Sequence, residues 1–517
     1  MILRFTESAK LIEVVDATQV ELDQLAIESQ AYIEGFRGSK WVRGDLISHF
    51  YDTKFLPAGL WYKMLMLRNS NWTIQITNFE SLLYANCPKQ DQIDAYVDTL
   101  DTPYNLRYYQ RNYIHLALKY RRANFVVGTS GGKTFMTYIY FRYLLDHEFG
   151  FDAKQKLLMI VPSIKLVTQG HNDFKSYQID NRIIKTYKIH SGAQNEFTLA
   201  DSHIIISTYQ SLVNMPNDFF DNIIAYFVDE AHGANAISMI NIIKQLRNTK
   251  WSLGLTGTFP HKNTLARLNI ESYIGPLLGS HKVHQMITDN HVADVFIKLI
   301  EIHHSNAATA EYMQYLLENP DIVENKTKLL LAEQHHLFSY QPRIDVIAMI
   351  AALLDKNTLI LARRISEIDV IYDTLCAYVA NNNINKTIHR IKGGTPITDR
   401  DDICALLDSE PNSHILVAST GTIATGTSVT ALFYAILTGI GKPEIGVIQA
   451  IGRFLRLHPD KVRAIIIDIS DKLHTTCNVL PKSYTSRNYS WRHRLDRIHI
   501  YKDNKYPYSD KPQIINI

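Results

Sequence analysis

The chain has 517 residues, 46% hydrophobic and 20% charged, a globular composition with room for roughly three to four domains. That excludes a disordered chain, a collagen-like chain and a coiled-coil rod. Lys and Arg number 54 against 51 Asp and Glu, a formal net charge of +3, so any nucleic-acid surface is a local patch and not a global field.

In chain order, residues 1–95 come first. Leu11–Val15 and Trp72–Ile76 read as short strands, and Ala17–Ser29 and Ile93–Thr99 as helices, together a small α+β domain. Five short apolar runs follow: Asn124–Val127, Leu157–Val161, His203–Ser207, Ala225–Val228 and Trp251–Leu255. Five more make a second set: Thr358–Leu361, Thr387–Ile391, Ile415–Ala418, Phe433–Leu437 and Ala464–Ile469. Runs this short and this rich in Ile, Val and Leu are how strands buried on both faces of a parallel sheet read. Helix-length amphipathic stretches such as Thr134–Leu145 and Ile365–Ala380 lie between them. The expected architecture is α/β, two parallel-sheet domains in tandem at 96–285 and 286–480. A basic tail at 481–517 closes the chain. Between Lys482 and Lys511 it holds eight Lys or Arg against three Asp, with Tyr484, Tyr489, Trp491, Tyr501, Tyr506 and Tyr508 interleaved.

Targeting and redox signals point to the cytoplasm. Cys87, Cys376, Cys404 and Cys477 are far apart and show no C-x-x-C spacing, which argues against a disulfide framework or a zinc ribbon. Arg4 and Glu7 interrupt the start where a signal peptide needs an apolar run. The apolar stretch Val346–Leu354 is too short to span a bilayer, and no membrane partner is expected.

Three segments carry chemistry. Gly128-Thr129-Ser130-Gly131-Gly132-Lys133-Thr134 follows a buried run and precedes a helical one. Its glycines let backbone N–H groups wrap a phosphate. Lys133 would reach the β- and γ-phosphates, and the Thr134 hydroxyl would ligate Mg²⁺. The first position of the usual G-x-x-x-x-G-K-[ST] pattern is Val127 here, and a Gly-rich turn with a surface lysine is the plain alternative. Second, Asp229-Glu230-Ala231-His232 stands directly after the run Ala225–Val228. Asp229 would hold the Mg²⁺ shell, and Glu230 would orient and deprotonate the attacking water. Third, Gln449, Arg453 and Arg456 share one face if Gln449–Arg456 is helical. Two guanidinium groups on one stripe suit a phosphate anion, and a solvated basic face is the competing reading.

Together these segments resemble the motifs of superfamily 2 helicases. Smaller elements agree: Arg107 and Gln110 with the element whose Gln reads adenine, Pro162, Ser163 and Gln169 with motif Ia, and Ser207 and Thr208 with the element after it. Thr256-Gly257-Thr258 is similar to motif III, Ser419, Thr420 and Gly426 to motif V, and Gly393-Gly394 to a loop that grips the strand. The resemblance narrows to UvsW-type recombination helicases of tailed phages. Thr425–Val429, the loop around Lys133, Lys40-Trp41-x-Arg43-Gly44 and Leu56-Pro57-x-Gly59-Leu60 all look alike; proteins of that type can carry Cys where His232 stands.

This resemblance implies two RecA-like domains, ATP and Mg²⁺ as cofactors, and ATP-driven work on branched or forked DNA or RNA–DNA hybrids, by a monomer in the host cytoplasm. Thr129, Ser130, Gly131 and Gly132 would join Arg107, Gln110 and Gly426 around the nucleotide. Arg453 and Arg456 would act as arginine fingers. Residues 1–95, with Arg37, Lys40, Trp41, Arg43 and Lys54, and the tail, with Arg487, Trp491, Arg492, Arg494 and Arg497, are candidates for the second DNA arm. The alternatives are the motor subunit of a restriction or nuclease complex and an ATP-gated strand-annealing protein. His303-His304, His335-His336 and the Asp321, Glu324, Lys326 group lack the partners or spacing of a metal or nuclease site.

Overall fold

Runs of Ile, Val and Leu that bury both faces build two seven-stranded parallel sheets, one in each of two compact units, Met1–Lys282 and Val283–Ile517. The computed structural model describes all residues except 6–10, 38–39, 49–54, 64–74, 78–86, 152–153, 179–182, 263, 363, 420–428, 440–450, 453 and 474–487. Among the described residues no helix is long and apolar enough to cross a membrane, and Cys87, Cys376 and Cys404 are unbridged. Cys477 lies outside the described residues.

The first unit opens with β1 (Ile2–Phe5), β2 (Leu11–Asp16), β3 (Gln30–Arg37), β4 (Lys40–Ser48), β5 (Phe55–Pro57) and β6 (Gln75–Thr77). A mixed sheet runs in the order β5-β2-β1-β6, while β3 and β4 pair as a separate antiparallel ribbon. The helix Gln19–Glu28 begins at a capping box in which Thr18 Oγ1 accepts from Glu21 N and Glu21 accepts from Thr18 N. Leu3, Ile12, Val14, Leu25, Leu56 and Trp61 form a small core of their own. This module is tied to the larger sheet's helices. Trp61 stacks on Tyr120 with ring centres 5.0 Å apart, and a Cβ on Gly59 would fall 2.0 Å from the Glu271 carbonyl oxygen, so only glycine fits. Tyr62 OH donates to the Glu271 carboxylate, which Arg267 Nε also reaches at 2.9 Å.

The large sheet of this unit contains β7 (Arg122–Val127), β8 (Lys156–Val161), β9 (Thr186–Ile189), β10 (Ile204–Thr208), β11 (Ile223–Asp229), β12 (Trp251–Thr256) and β13 (Leu277–His281). Their spatial order is β13-β7-β12-β11-β8-β10-β9. Every residue of β7, β8, β10 and β12 is buried, as their composition predicts.

The second unit holds β14 (Asp294–His303), β15 (Thr358–Ala362), β16 (Thr387–Ile391), β17 (His414–Ser419), β18 (Tyr434–Leu437), β19 (Arg463–Lys472) and β20 (Gln513–Asn516), ordered β16-β17-β15-β18-β19-β14-β20. Four helices between Asn306 and Leu353 separate β14 from β15.

The described part of the basic tail is not an appendage, which corrects the sequence reading. Residues Tyr489–Asp503 form a helix, and β20 adds a seventh strand beside β14. Arg497 is buried in a two-pronged pair with Asp468 (2.7 and 2.9 Å), which Tyr501 OH also reaches at 2.8 Å. Arg494 pairs with Glu301. Glu333 caps the helix start, accepting from Asn488 Nδ2, Tyr489 N and Ser490 N at 2.7–2.9 Å. Two of the eight charges that suggested a DNA-binding tail, Arg494 and Arg497, are thus engaged in folding the second unit.

Candidate functional site

In a parallel sheet, ligands bind beyond the carboxyl ends of the strands. In the first unit the loops that leave β7, β12 and β11 are neighbours there, because the strands are. The loop after β7 carries Thr129, Ser130, Gly131 and Gly132 into the helix Lys133–Leu144, with Thr134 in its first turn. Ser130 and Gly132 take positive φ, 66° and 73°, and a Cβ on Gly132 would sit 2.5 Å from Gln110 Nε2.

Three side chains brace that loop. Gln110 Nε2 and Tyr109 OH each donate to the Gly131 carbonyl at 2.8 Å, and Arg107 Nη1 donates to the Ser130 carbonyl at 3.4 Å. Gln110 is 3% exposed, and its Oε1 accepts from Arg107 N at 2.7 Å. Both amide ends of the predicted adenine reader are therefore engaged, Nε2 in holding the phosphate loop and Oε1 in capping its own helix. Tyr109 and Tyr113 are buried, whereas Tyr104 and Tyr108 are exposed.

Lys133 Nζ lies 3.4 Å from Glu230 Oε1. Glu230 follows β11 with φ 50°, a left-handed conformation unusual for a non-glycine and a recurrent feature of functional turns. Its backbone N donates to Asp229 Oδ1 at 3.0 Å. Its other carboxylate oxygen lies 3.4 Å from both His232 Nδ1 and Thr256 Oγ1. Thr256, at the end of β12, donates to the Thr258 carbonyl at 2.7 Å, so at 2.8 Å His232 Nδ1 is the donor to Thr256 Oγ1. Burial alone would raise the Glu230 carboxyl. Lys133, His232 and the Gly257 N–H outweigh it and hold the group below the usual carboxylate range. Glu230 thus starts as an anion held by one cation, ready to exchange that partner for a water. The Thr134 hydroxyl and the Asp229 carboxylate are hard oxygen donors of the kind Mg²⁺ takes.

Farther along the same edge, β8 and β10 end beside a cavity of about 570 Å³ lined by Pro162, Ser163, His190, Thr208, Gln210 and Asn214, among others. Ser163 caps its helix through Leu166 N, and Thr208 caps the next through Ser211 N. Ser207 does not reach the cavity. It is fully buried, and its hydroxyl donates to the Ile189 and Thr208 carbonyls, which corrects its assignment as a phosphate contact. Gln169 is exposed on the Ile164–Tyr177 helix and does not line the cavity. His190 was missed by sequence reasoning because β9, which delivers it, is a short strand of mixed character, and Asn214 lay beyond any motif considered.

In the second unit Gly393 and Gly394 are exposed just past β16, and Ser419 ends β17. Thr420, Gly426, Gln449 and Arg453 lie outside the described residues. Arg456 is described, but it follows the helical turn that ends at Leu455, so the shared helical face predicted for it does not extend that far. Trp491 Nε1 donates to Glu301 at 3.4 Å, and the Arg492 guanidinium lies over the Tyr489 ring at 4.5 Å.

Residues 103–261 match the family described as Type III restriction enzyme, res subunit. The chain is 28% identical over 415 residues to the ATP-dependent DNA helicase uvsW of Enterobacteria phage T4, covering 78% of this chain and 76% of that one. The chain is thus similar to UvsW, and with the res-subunit match this supports a UvsW-like superfamily 2 helicase. The crystal structure of T4 UvsW aligns over 100% of this chain and 99% of its own at 22% identity and TM-score 0.47. The DNA-bound Type ISP restriction-modification enzyme LlaBIII shares the fold at 16% identity and TM-score 0.57, covering 80% of this chain and 32% of its own. This helicase hydrolyses ATP, and in that light the Lys133–Glu230 pair and its Thr256–His232 support are the parts to expect around a γ-phosphate.

Proposed function

We propose that the protein is an ATP-driven DNA helicase acting on branched substrates (forks, junctions and R-loops) in phage-type recombination, replication or repair. The observation that carries this reading is the single edge of the first sheet. It presents the phosphate loop and its Lys133–Glu230 pair beside the cavity framed by Pro162, Ser163 and Thr208. Hydroxyls and loop N–H groups grip a sugar–phosphate backbone without reading its sequence. The 28% identity to a DNA helicase over 78% of the chain supports DNA as that strand.

In the mechanism, the loop N–H groups and Lys133 bind the β- and γ-phosphates. Glu230, released from Lys133, orients the attacking water and takes its proton. Thr134 and Asp229 would hold Mg²⁺, which would supply charge neutralisation on the phosphates. His232, oriented by Thr256, steadies the Glu230 carboxylate. Thr256 ends β12 and His232 follows β11, the strand beside it, so both lie at the Glu230 turn. Arg453 and Arg456 stabilise the charge that develops on the transferring phosphoryl group. The proposed protein works as a monomer in the cytoplasm.

The match of residues 103–261 to restriction-enzyme res subunits favours a second reading, the motor of a restriction complex. One panel separates the two: ATPase stimulation and strand displacement on single strands, duplexes, forks, four-way junctions and RNA–DNA hybrids. The helicase reading predicts ATP-dependent displacement on forks and junctions by the purified chain alone. ATPase without displacement on any substrate would favour the restriction motor, and displacement or annealing that needs no hydrolysis would favour the annealing protein.

A further inference from the structure

The segment that carries Arg456 is gathered by one buried lysine. The helical turn through Phe454 stops at Leu455, and Arg456 follows in irregular backbone. A helix end leaves carbonyls with no partner inside the helix. Lys461, 5% exposed, donates to the carbonyls of Phe454 (3.3 Å) and Arg456 (3.0 Å) and, at 2.5 Å, to that of Thr430. Thr430 lies just past Thr425–Val429, and it is fixed from its other side. Asp408, on the helix Ile397–Ser409, accepts from Thr430 N (2.7 Å), Thr430 Oγ1 (2.9 Å) and Ala431 N (2.8 Å) through one carboxylate oxygen. The rings of Phe433 and Phe454 flank the ammonium, each centred 5.6 Å away. An ammonium has three N–H donors, and here three backbone carbonyls take them. This is a buried cross-link between two loops and not a surface charge.

We propose that Lys461 is a positioning residue for ATP hydrolysis, clamping the Arg456 backbone to the Thr430 segment so that the Arg456 guanidinium meets the transferring phosphoryl group in one geometry. The inference rests on the role given to Arg456 above. An arginine on unconstrained backbone samples many orientations, and a misplacement of about 1 Å can cost on the order of 10²-fold in rate. A long cationic side chain is suited to the task, because it reaches three carbonyls on two separate segments at once.

The clamp is also sensitive to pH. Burial lowers the Lys461 ammonium to about 8, with Asp408 opposing the shift and Arg456 adding to it. Lys356 lies over the same Phe433 ring at 5.5 Å, and His458, 3.9 Å from Asp460, packs edge-on against that ring at 5.5 Å. Above about pH 8 the amine has lost its proton and has two donors for three carbonyls, so the clamp loosens and kcat falls.

The test compares kcat, and ATP affinity measured by titration, across neutral to alkaline pH in the full chain with single-stranded DNA present. The variants are Lys461→Met, Lys461→Arg, Arg456→Ala and the double variant Lys461→Met/Arg456→Ala. Lys461→Met should lower kcat on the order of 10²-fold with ATP affinity unchanged, lose the alkaline fall, and add nothing to Arg456→Ala. Lys461→Arg should recover much of the rate and keep it to higher pH. If Lys461→Met does not fold, the profile of Arg456→Ala carries the test, since it too should lack the alkaline fall near pH 8. Losses that multiply in the double variant, or an alkaline fall that survives in Arg456→Ala, would overturn this inference alone. Wild-type kcat in Arg456→Ala would overturn it together with the proposed role of Arg456.

Discussion

Each of the two units contains a cation–carboxylate pair, and the pairs are built for opposite ends. Lys133 and Glu230 stand 3.4 Å apart, 14% and 19% exposed, at the rim of a sheet. Arg497 and Asp468 stand 2.7 Å apart and 1% and 0% exposed, with Tyr501 OH as an added donor to the carboxylate. A pair that is long, single-pronged and wet can be opened by a ligand of higher charge. A pair that is short, two-pronged and dry cannot be opened without unfolding its surroundings, because each separated charge would pay the full cost of burial. Charge by itself does not mark a binding surface; the ease with which a charge can change partners does.

Breaking the open pair should remove chemistry and spare the fold. Lys133→Ala is expected to abolish ATP hydrolysis, since the lysine serves the phosphates and not the core, while thermal unfolding stays near wild type and DNA still binds without nucleotide. Steady-state ATPase with a melting curve checks this, and retention of most of the activity would move the site elsewhere. Breaking the closed pair should do the reverse. Arg497→Ala leaves Asp468 buried and unpaired, which costs on the order of 3–5 kcal/mol. Denaturant unfolding should show the second unit destabilised by that amount while ATP still binds the first, and a loss under about 1 kcal/mol, the ordinary worth of an exposed pair, would mean the pair is not structural.

A smaller effect sharpens the contrast through pH. Asp471, buried against Arg343 and His304, belongs to the closed class. Burial would raise its carboxyl, but Arg343 and then His304 hold it well below the usual range. The stabilisation is therefore fully present above the unfolded carboxylate pKa of about 3.9 and is lost as pH falls toward the depressed folded value. Acid titration of the second unit's stability should show this loss, and Asp471→Asn should flatten it; an unaltered acid profile in Asp471→Asn would place the effect on other carboxylates.

The smallest expected effect concerns the β3–β4 ribbon, whose strands place Lys40, Trp41 and Arg43 opposite Arg37, Phe36 and Glu34. The module around it packs on the Leu265–Tyr273 helix through Gly59, so removing residues 1–95 would expose that helix and test nothing specific. Lys40→Ala/Arg43→Ala is the cleaner probe. If these cations meet the second arm of a fork, fork affinity should fall and its salt slope should shrink by about 0.9 for each phosphate no longer neutralised, with single-strand-stimulated ATPase preserved. Equal losses on forks and single strands would make the ribbon a brace.

Strands buried on both faces were readable from composition. All ten apolar runs picked out fall within or largely overlap strands of the two large sheets, and the loop before Lys133 and the Asp229-Glu230 turn sit where such strands end. The four strands of the large sheets that were not picked out lie at or next to a sheet edge, although β16, an edge strand too, was. β9 and β13 are half-exposed and short, β20 is a terminal strand paired with β14, and β14 mixes exposed and buried positions. The tail misled because Arg494 and Arg497 find their carboxylates in Glu301 and Asp468, which are remote in sequence, and composition cannot report that pairing. Ser207 misled because a motif position says nothing about which way a buried hydroxyl is committed. Lys461 gave no signal at all, since its partners are backbone carbonyls.

If hydrolysis at the Lys133–Glu230 site drives strand separation, removing the base must stop both. The direct test is strand displacement from a forked duplex by wild type and Glu230→Gln at saturating ATP, with fork binding measured on the same samples. Glu230→Gln keeps the shape of the side chain and removes the base, a loss typically worth on the order of 10²–10⁴ in rate. The prediction is that Glu230→Gln binds the ATP-loaded fork at least as tightly as wild type and displaces no strand above background. Displacement at the wild-type rate by Glu230→Gln would contradict it.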